Sequence, residues 1–184
     1  MAEELPKDIK SFIDGIEIDE SGALSFKGRR FVFVPGVLFS ISLMGALVER
    51  YSKMLEPVRR RALVNYGRKL AEKMEALGAK GVLEYYLSLE YLMGFGRNEL
   101  IEFGESQVVF RVYSSLYGEE TGAYFKMRGV QPSATCSSGY VAEGILNYFA
   151  EKDGKPLFTS EEVKCKAKGD EYCEFVLKRS LPAP

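Results

Sequence analysis

Apolar positions along this chain change period several times, and each change predicts an element. Ile16 and Ile18 alternate with charged residues, Asp19-Glu20-Ser21-Gly22 supplies turn chemistry, and Leu24 and Phe26 resume the alternation. Two short strands and a turn follow from that pattern, and Phe31-Val32-Phe33-Val34 reads as a buried strand stopped by Pro35-Gly36. Pro35 suits a helix start, and behind it Val37, Ile41, Met44, Val48, Tyr51 and Leu55 recur at helical spacing. Leu38, Leu43, Leu47 and Met54 lie off this stripe, so the helix is apolar on more than one side. The second side predicts a homodimer through the helix around 37–55; the alternative is a central helix buried within one chain.

Glu56-Pro57 breaks the pattern and predicts the start of a second helix, with Leu63, Gly67, Leu70, Met74 and Leu77 as its stripe and Gly78 as its C-cap. A third helix is expected over about 81–93, with Leu83, Tyr86, Leu87 and Leu92 inward. Glu99–Phe103 and Gln107–Tyr113 alternate around Gly104-Glu105-Ser106, which reads as a hairpin with Asn98 as its lead-in. The stretch 114–135 is rich in glycine and polar residues and predicts no element. Gly139 to Ala150 forms a fourth helix on Val141, Ile145, Leu146 and Phe149, ended by Asp153-Gly154-Lys155-Pro156.

From Val163 the period is two: Val163, Cys165 and Ala167 share one face, and Lys164, Lys166 and Lys168 the other. After Lys168-Gly169-Asp170, the residues Cys173, Phe175 and Leu177 point inward again. The fold class expected is α/β in the α+β sense, with antiparallel strands packed against about four helices. Residues 1–24 read as an N-terminal extension with a short strand, 25–178 as a single domain and 179–184 as a tail. No internal repeat, low-complexity tract or interdomain linker interrupts it.

Composition narrows the function classes. The 184 residues carry a net charge of −1, which argues against nucleic acid as the main partner. The one basic run, Arg59-Arg60-Arg61, reads as a solvated helix face. A chain this long buries roughly 70% of its unfolded surface, so folding does not demand a metal. The N-terminal residues are acidic and lack a signal peptide's layout. The longest apolar run, Gly36 to Val48, is interrupted by Ser40 and Ser42 and is too short to span a bilayer. A cytoplasmic location is expected, where clustered cysteines favour metal over disulfides.

The three cysteines, Cys136, Cys165 and Cys173, all lie in the last fifty residues, and the chain has no histidine. A transition-metal site must therefore use thiolates and carboxylates, and Cys136, Glu162, Cys165 and Cys173 supply three plus one. Four such ligands suit a closed, structural zinc site. If the turn centres on Gly169, Cys165 and Cys173 lie opposite each other, with Cβ atoms about 4.5–5.5 Å apart. Cys136, just before the fourth helix, approaches from the side. Glu162 has the wrong parity: three residues from Cys165, it reaches the same face only if the strand begins at Val163. Spacing alone leaves zinc, buried core thiols and a disulfide all open.

Cys136-Ser-Ser-Gly139-Tyr140-Val-Ala-Glu-Gly144, followed by Glu162-Val-Lys-Cys165-x-Ala-x-Gly169-x-x-x-Cys173-x-Phe175, resembles the 4-vinyl-reductase domain. The Pro35-Gly-Val-Leu-Phe entry into a long helix is similar to it as well. The resemblance implies a fold related to haem nitric-oxide-binding domains and to a transport-particle subunit with an acyl-chain tunnel, usually dimeric, with a cavity for a small apolar molecule. In phenol-sensing regulators the similar domain holds zinc with three cysteines and a glutamate. Those ligands carry over onto Cys136, Glu162, Cys165 and Cys173. The sensors' ligand-contacting histidine and tryptophan have no counterpart, because this chain contains neither residue type.

The leading expectation is a receptor or carrier module for an apolar, aromatic or acyl ligand, without enzymatic activity. Its pocket residues are expected among the aromatics Tyr86, Tyr91, Phe103 and Tyr113. An assembly subunit is the second reading. A vinyl-group reductase is the third, although Gly94-Phe-Gly96 does not form a dinucleotide fingerprint and no acid–base pair stands out.

Overall fold

The computed structural model describes Ser11 and residues 14–18, 24–26, 29–31, 46–93, 95–129 and 136–179. The chain divides into two compact units, Met1–Pro35 and Gly36–Pro184. In the first, β1 (Ile16–Ile18), β2 (Leu24–Phe26) and β3 (Arg29–Phe31) form an antiparallel sheet in that order. β2 pairs with both neighbours, Ile16 opposite Phe26 and Leu24 opposite Phe31, so a division at residue 25 passes through a paired strand. Val32 to Val34 lie outside the described residues.

The second unit runs α1 (Ala46–Lys73), a 3-10 turn (Glu75–Leu77), α2 (Gly78–Leu92), β4 (Arg97–Phe103), β5 (Gln107–Tyr113), α3 (Leu116–Arg128), α4 (Ser138–Lys152), β6 (Phe158–Lys164), a second 3-10 turn (Lys166–Lys168) and β7 (Cys173–Arg179). Its strands form an antiparallel sheet in the order β4-β5-β7-β6. The mixed α and β architecture expected from the sequence is the one observed. Period-two patterning gives the sheet one buried face: Val108, Phe110 and Val112 of β5 beside Cys173, Phe175 and Leu177 of β7. Phe110 and Phe175, partners in register, stack at 4.9 Å.

The central helix α4 packs against α1, α2, β6 and β7. Polar pairs run from Tyr140 on Glu56 to Lys152 on Glu75, so α1 and α4 lie side by side in the same direction. Asn147 ties α4 to β6 by donating to the Phe158 carbonyl at 3.0 Å and accepting from its amide at 2.7 Å. Both bonds are buried. Asn147→Ala orphans both backbone groups and is expected to destabilise the protein by roughly 2–4 kcal/mol, read as a lower urea midpoint at unchanged slope.

Three expectations are corrected here. α1 is continuous through Pro57, which is solvent-exposed; the ring removes one amide donor without ending a helix that is favourable on both sides. Arg59-Arg60-Arg61 is not simply a solvated face: Arg60 makes two bonds of 2.9 and 2.8 Å to the buried Glu143 carboxylate, which also accepts from Ser160 of β6. The 114–135 stretch contains α3, whose start is capped by Ser115 Oγ accepting from the Gly118 amide and whose end is Gly129 at φ 64. Of the proposed dimer helix, residues 37–45 lie outside the described residues, as do the side chains of 46–55.

Candidate metal centre

Three elements bring the sequence-selected ligands together. Cys136 precedes the first turn of α4, Glu162 lies on β6, Cys165 follows β6, and Cys173 opens β7. One ligand atom from each lies within 4.8 Å of all the others. Cys136 Sγ is 3.6 Å from Cys173 Sγ and 4.0 Å from Cys165 Sγ. The three cysteines are buried, and none is joined to another by a disulfide.

The parity problem of Glu162 has a different solution from the one expected. β6 starts at Phe158, so Glu162 is a strand residue, with Phe158, Ser160 and Glu162 on the sheltered side. Glu162 pairs with Phe175 and Lys164 with Glu174, leaving Val163 as an extra, exposed residue in a bulge. The bulge shifts the side-chain phase by one, so Glu162 and Cys165 face the same way. Val163 therefore does not share a face with Cys165. The connection to β7 is the 3-10 turn and not a tight turn centred on Gly169, though Gly169 ends it at φ 101.

Backbone donors and close packing fix the cluster. The Cys136 amide donates to Glu162 Oε2 at 3.0 Å, the Lys166 amide to Cys173 Sγ at 3.4 Å, and the Cys165 amide to Asp170 Oδ2 at 2.7 Å. Gly118 of α3 lies so near that a Cβ there would stand 3.2 Å from Cys173 Sγ and 2.9 Å from Lys166 Cβ. Asp170 and Gly118 were not singled out in the sequence. Asp170 carried a signal, since a carboxylate after Gly169 is suited to bonding a nearby turn amide; Gly118 carried none.

Charge is crowded here. Hydrogen bonds toward Cys165 and Cys173, together with burial, push the Cys136 thiol well above its ordinary range. Cys173 is drawn down to about 4, first by the bond from Cys136 and then by that from Cys165. For Cys165 the bond with Cys136 pulls downward, but donation to Cys173 and burial outweigh it and leave the thiol raised. Burial, then the charge on Cys165, lifts the Glu162 carboxyl to about 7. Glu162 Oε1 is buried with no hydrogen-bond partner. Without a cation, one thiolate is the most the cluster holds comfortably; a metal ion would satisfy Oε1 and let the remaining sulfurs ionise. The four residues can hold a metal ion.

The expected aromatic pocket is not assembled. Phe103 and Tyr113 sit at opposite ends of the β4–β5 ladder, opposite Val108 and Arg97 respectively. Tyr91 is 46% exposed, and Tyr113 packs with Tyr172 beneath the Arg97 guanidinium. Tyr86 alone is deeply buried, bonded to Glu90. Period-two and helical patterns select residues by face, and cannot place three elements' aromatics around one point. A groove of about 520 Å³ lies elsewhere, between α3 and the second 3-10 turn, lined by Glu119, Gly122, Phe125, Lys126, Lys166 and Lys168.

Glu90 is the other notable acid. It is 5% exposed, and burial pushes its carboxyl up to about 7 against the downward pull of Tyr86 and Ser138 hydroxyls. Such a group favours folding only while protonated. Its contribution is therefore intact below about pH 4.5 and is lost as pH rises from there through about 7. The expected loss is roughly 3 kcal/mol, and Glu90→Gln should flatten that limb of the stability–pH curve.

The fold and the cluster define a mixed α/β domain with a cysteine–carboxylate centre at its C-terminal hairpin. Residues 128–179 match the 4-vinyl-reductase domain, so the resemblance drawn from the cysteine motif is shown over that stretch. The crystal structure of the phenol-responsive sensory domain of the transcription activator PoxR with phenol has the same fold, with a TM-score of 0.67 and 16% identity over 93% of this chain and 88% of that one. No curated protein matches. No helix among the described residues is long and apolar enough to cross a membrane.

Proposed function

We propose that this chain is a small-molecule-binding module, acting as a receptor or carrier, in which Cys136, Glu162, Cys165 and Cys173 hold a structural zinc ion. The observation that carries the zinc assignment is sulfur spacing. Sulfurs at two corners of a tetrahedron with bonds of about 2.3 Å lie roughly 3.8 Å apart. The Cys136 separations of 3.6 and 4.0 Å bracket that value, and the unpartnered Glu162 Oε1 supplies the fourth corner. Four protein ligands leave no position for water, which suits a clamp between β6, β7 and the start of α4.

The binding role rests on the 4-vinyl-reductase domain match and on a fold shared with a sensory domain named for its response to phenol. An apolar or aromatic ligand fits that company. The same reading takes the protein as cytoplasmic and as a homodimer through the helix around 37–55. Protein produced under reducing, zinc-replete conditions is expected to carry one zinc per chain by elemental analysis, retained through desalting and released by thiol alkylation. Native mass spectrometry of the same preparation should show a co-purifying small molecule. Fully folded protein without zinc under those conditions defeats the metal assignment.

A further inference from the structure

Two buried acceptor atoms outside the metal centre have no hydrogen-bond partner, Glu90 Oε2 and Asn98 Oδ1. Glu90 lies on the buried side of α2 near its C-terminal end, and its other oxygen takes the Tyr86 hydroxyl and, at 3.0 Å, the Ser138 hydroxyl. Asn98, in β4, donates through Nδ2 to the Leu87 carbonyl at 2.9 Å and the Gly96 carbonyl at 3.3 Å. Two carbonyl partners fix the amide's orientation, so the atom left over is an acceptor. Leu87 and Glu90 are three residues apart on α2, about 4.5 Å along its axis. Both lone acceptors therefore belong to the last turns of one helix.

Their common need is a donor. Buried acceptors without donors are rare because desolvation is not repaid. The Glu90 carboxyl also lacks a charge partner: burial and two neutral hydroxyls are the influences on it, with no lysine or arginine among them. A ligand hydroxyl offers a single donor and no charge. An ammonium group offers three donors and the missing positive charge. The surroundings are apolar, since Leu83, Tyr86 and Leu87 belong to the main core cluster.

We propose that Glu90 Oε2 and Asn98 Oδ1 form a recognition point for a protonated amine at the end of an otherwise apolar ligand. This rests on the reading of the chain as a ligand-binding module and specifies its ligand class. Recognition here is binding only; no covalent step is involved.

The test uses the zinc-replete full chain and three probes of similar shape, 4-methylbenzylamine, p-cresol and p-xylene, titrated calorimetrically. The amine is expected to bind at least about tenfold more tightly than p-xylene, the worth of a charge-assisted hydrogen bond in a buried site. Glu90→Gln retains an acceptor for Tyr86 and Ser138, and should erase the preference for the amine while leaving p-xylene binding unchanged. Equal affinity for all three probes overturns the amine site and leaves the module reading standing. A preference for p-cresol over the amine does the same, as does an amine preference that survives Glu90→Gln. Absence of binding by any probe overturns the amine site together with the aromatic-ligand reading. The ranking on wild-type protein stands independently of how the variant folds.

Discussion

Cys173→Ser protein will lose its zinc and, with it, on the order of 4–5 kcal/mol of folding stability. For a chain of this size that corresponds to a melting temperature lowered by roughly 10–20 °C. Cys173 is fully buried, 3.6 Å from Cys136 Sγ, and receives the Lys166 amide. A hydroxyl in its place is a poor ligand for zinc and cannot become an anion at neutral pH. The penalty should fall short of the roughly 10–16 kcal/mol of isolated zinc-finger peptides, because the α1–α4 core does not depend on the hairpin. The decisive comparison is the same substitution in metal-stripped protein, where only a small change in a buried side chain remains and about 1 kcal/mol is expected. A penalty equal in the two states would mean that Cys173 is an ordinary core thiol. It would remove the zinc assignment with it.

The ligand set was legible in the sequence because its logic is compositional. A chain without histidine and with three cysteines near one end has few other ways to build a metal centre, and the Cys165–Cys173 spacing fits a hairpin. The carbonyl and amide groups that shape the centre were not legible. Glu162 reaches the sulfurs through a bulge at Val163, and a bulge is one residue of misregister that no periodicity announces. The helix α3 escaped notice for a related reason. Its apolar residues form no consistent stripe, and its glycines serve close approach: Gly118 faces Lys166 and Cys173, and Gly122 stands where a Cβ would meet Ala167 Cα at 2.9 Å. Read along the chain, those glycines look like loop; across it, they are contact surface. Pro57 misled in the opposite direction, because local propensity was overridden by the flanking turns of α1.

The largest effect expected away from the metal is at the α1–α4 crossing. Gly67 faces Val141 and Gly144 faces Val64 so closely that a Cβ on either would lie 2.1 Å from the opposing backbone carbonyl oxygen. Two effects compete when either becomes alanine. Helix propensity favours the change by roughly 1 kcal/mol. Sterics oppose it, and the clash is with backbone, so no rotamer change relieves it. The helices must move apart by about 1 Å to restore ordinary carbon–oxygen contact, which opens the interface that Arg60–Glu143 and the neighbouring apolar side chains now close. Overpacking of this kind costs about 1–3 kcal/mol where side chains can yield, and more where they cannot. Gly67→Ala and Gly144→Ala are each expected to destabilise the protein by roughly 3 kcal/mol net, measured by chemical denaturation. The double variant should cost clearly less than the two together, because one separation relieves both clashes. Strict additivity would show that the two glycines do not share a single close approach. A gain of about 1 kcal/mol from either would mean that the crossing is looser than this geometry requires.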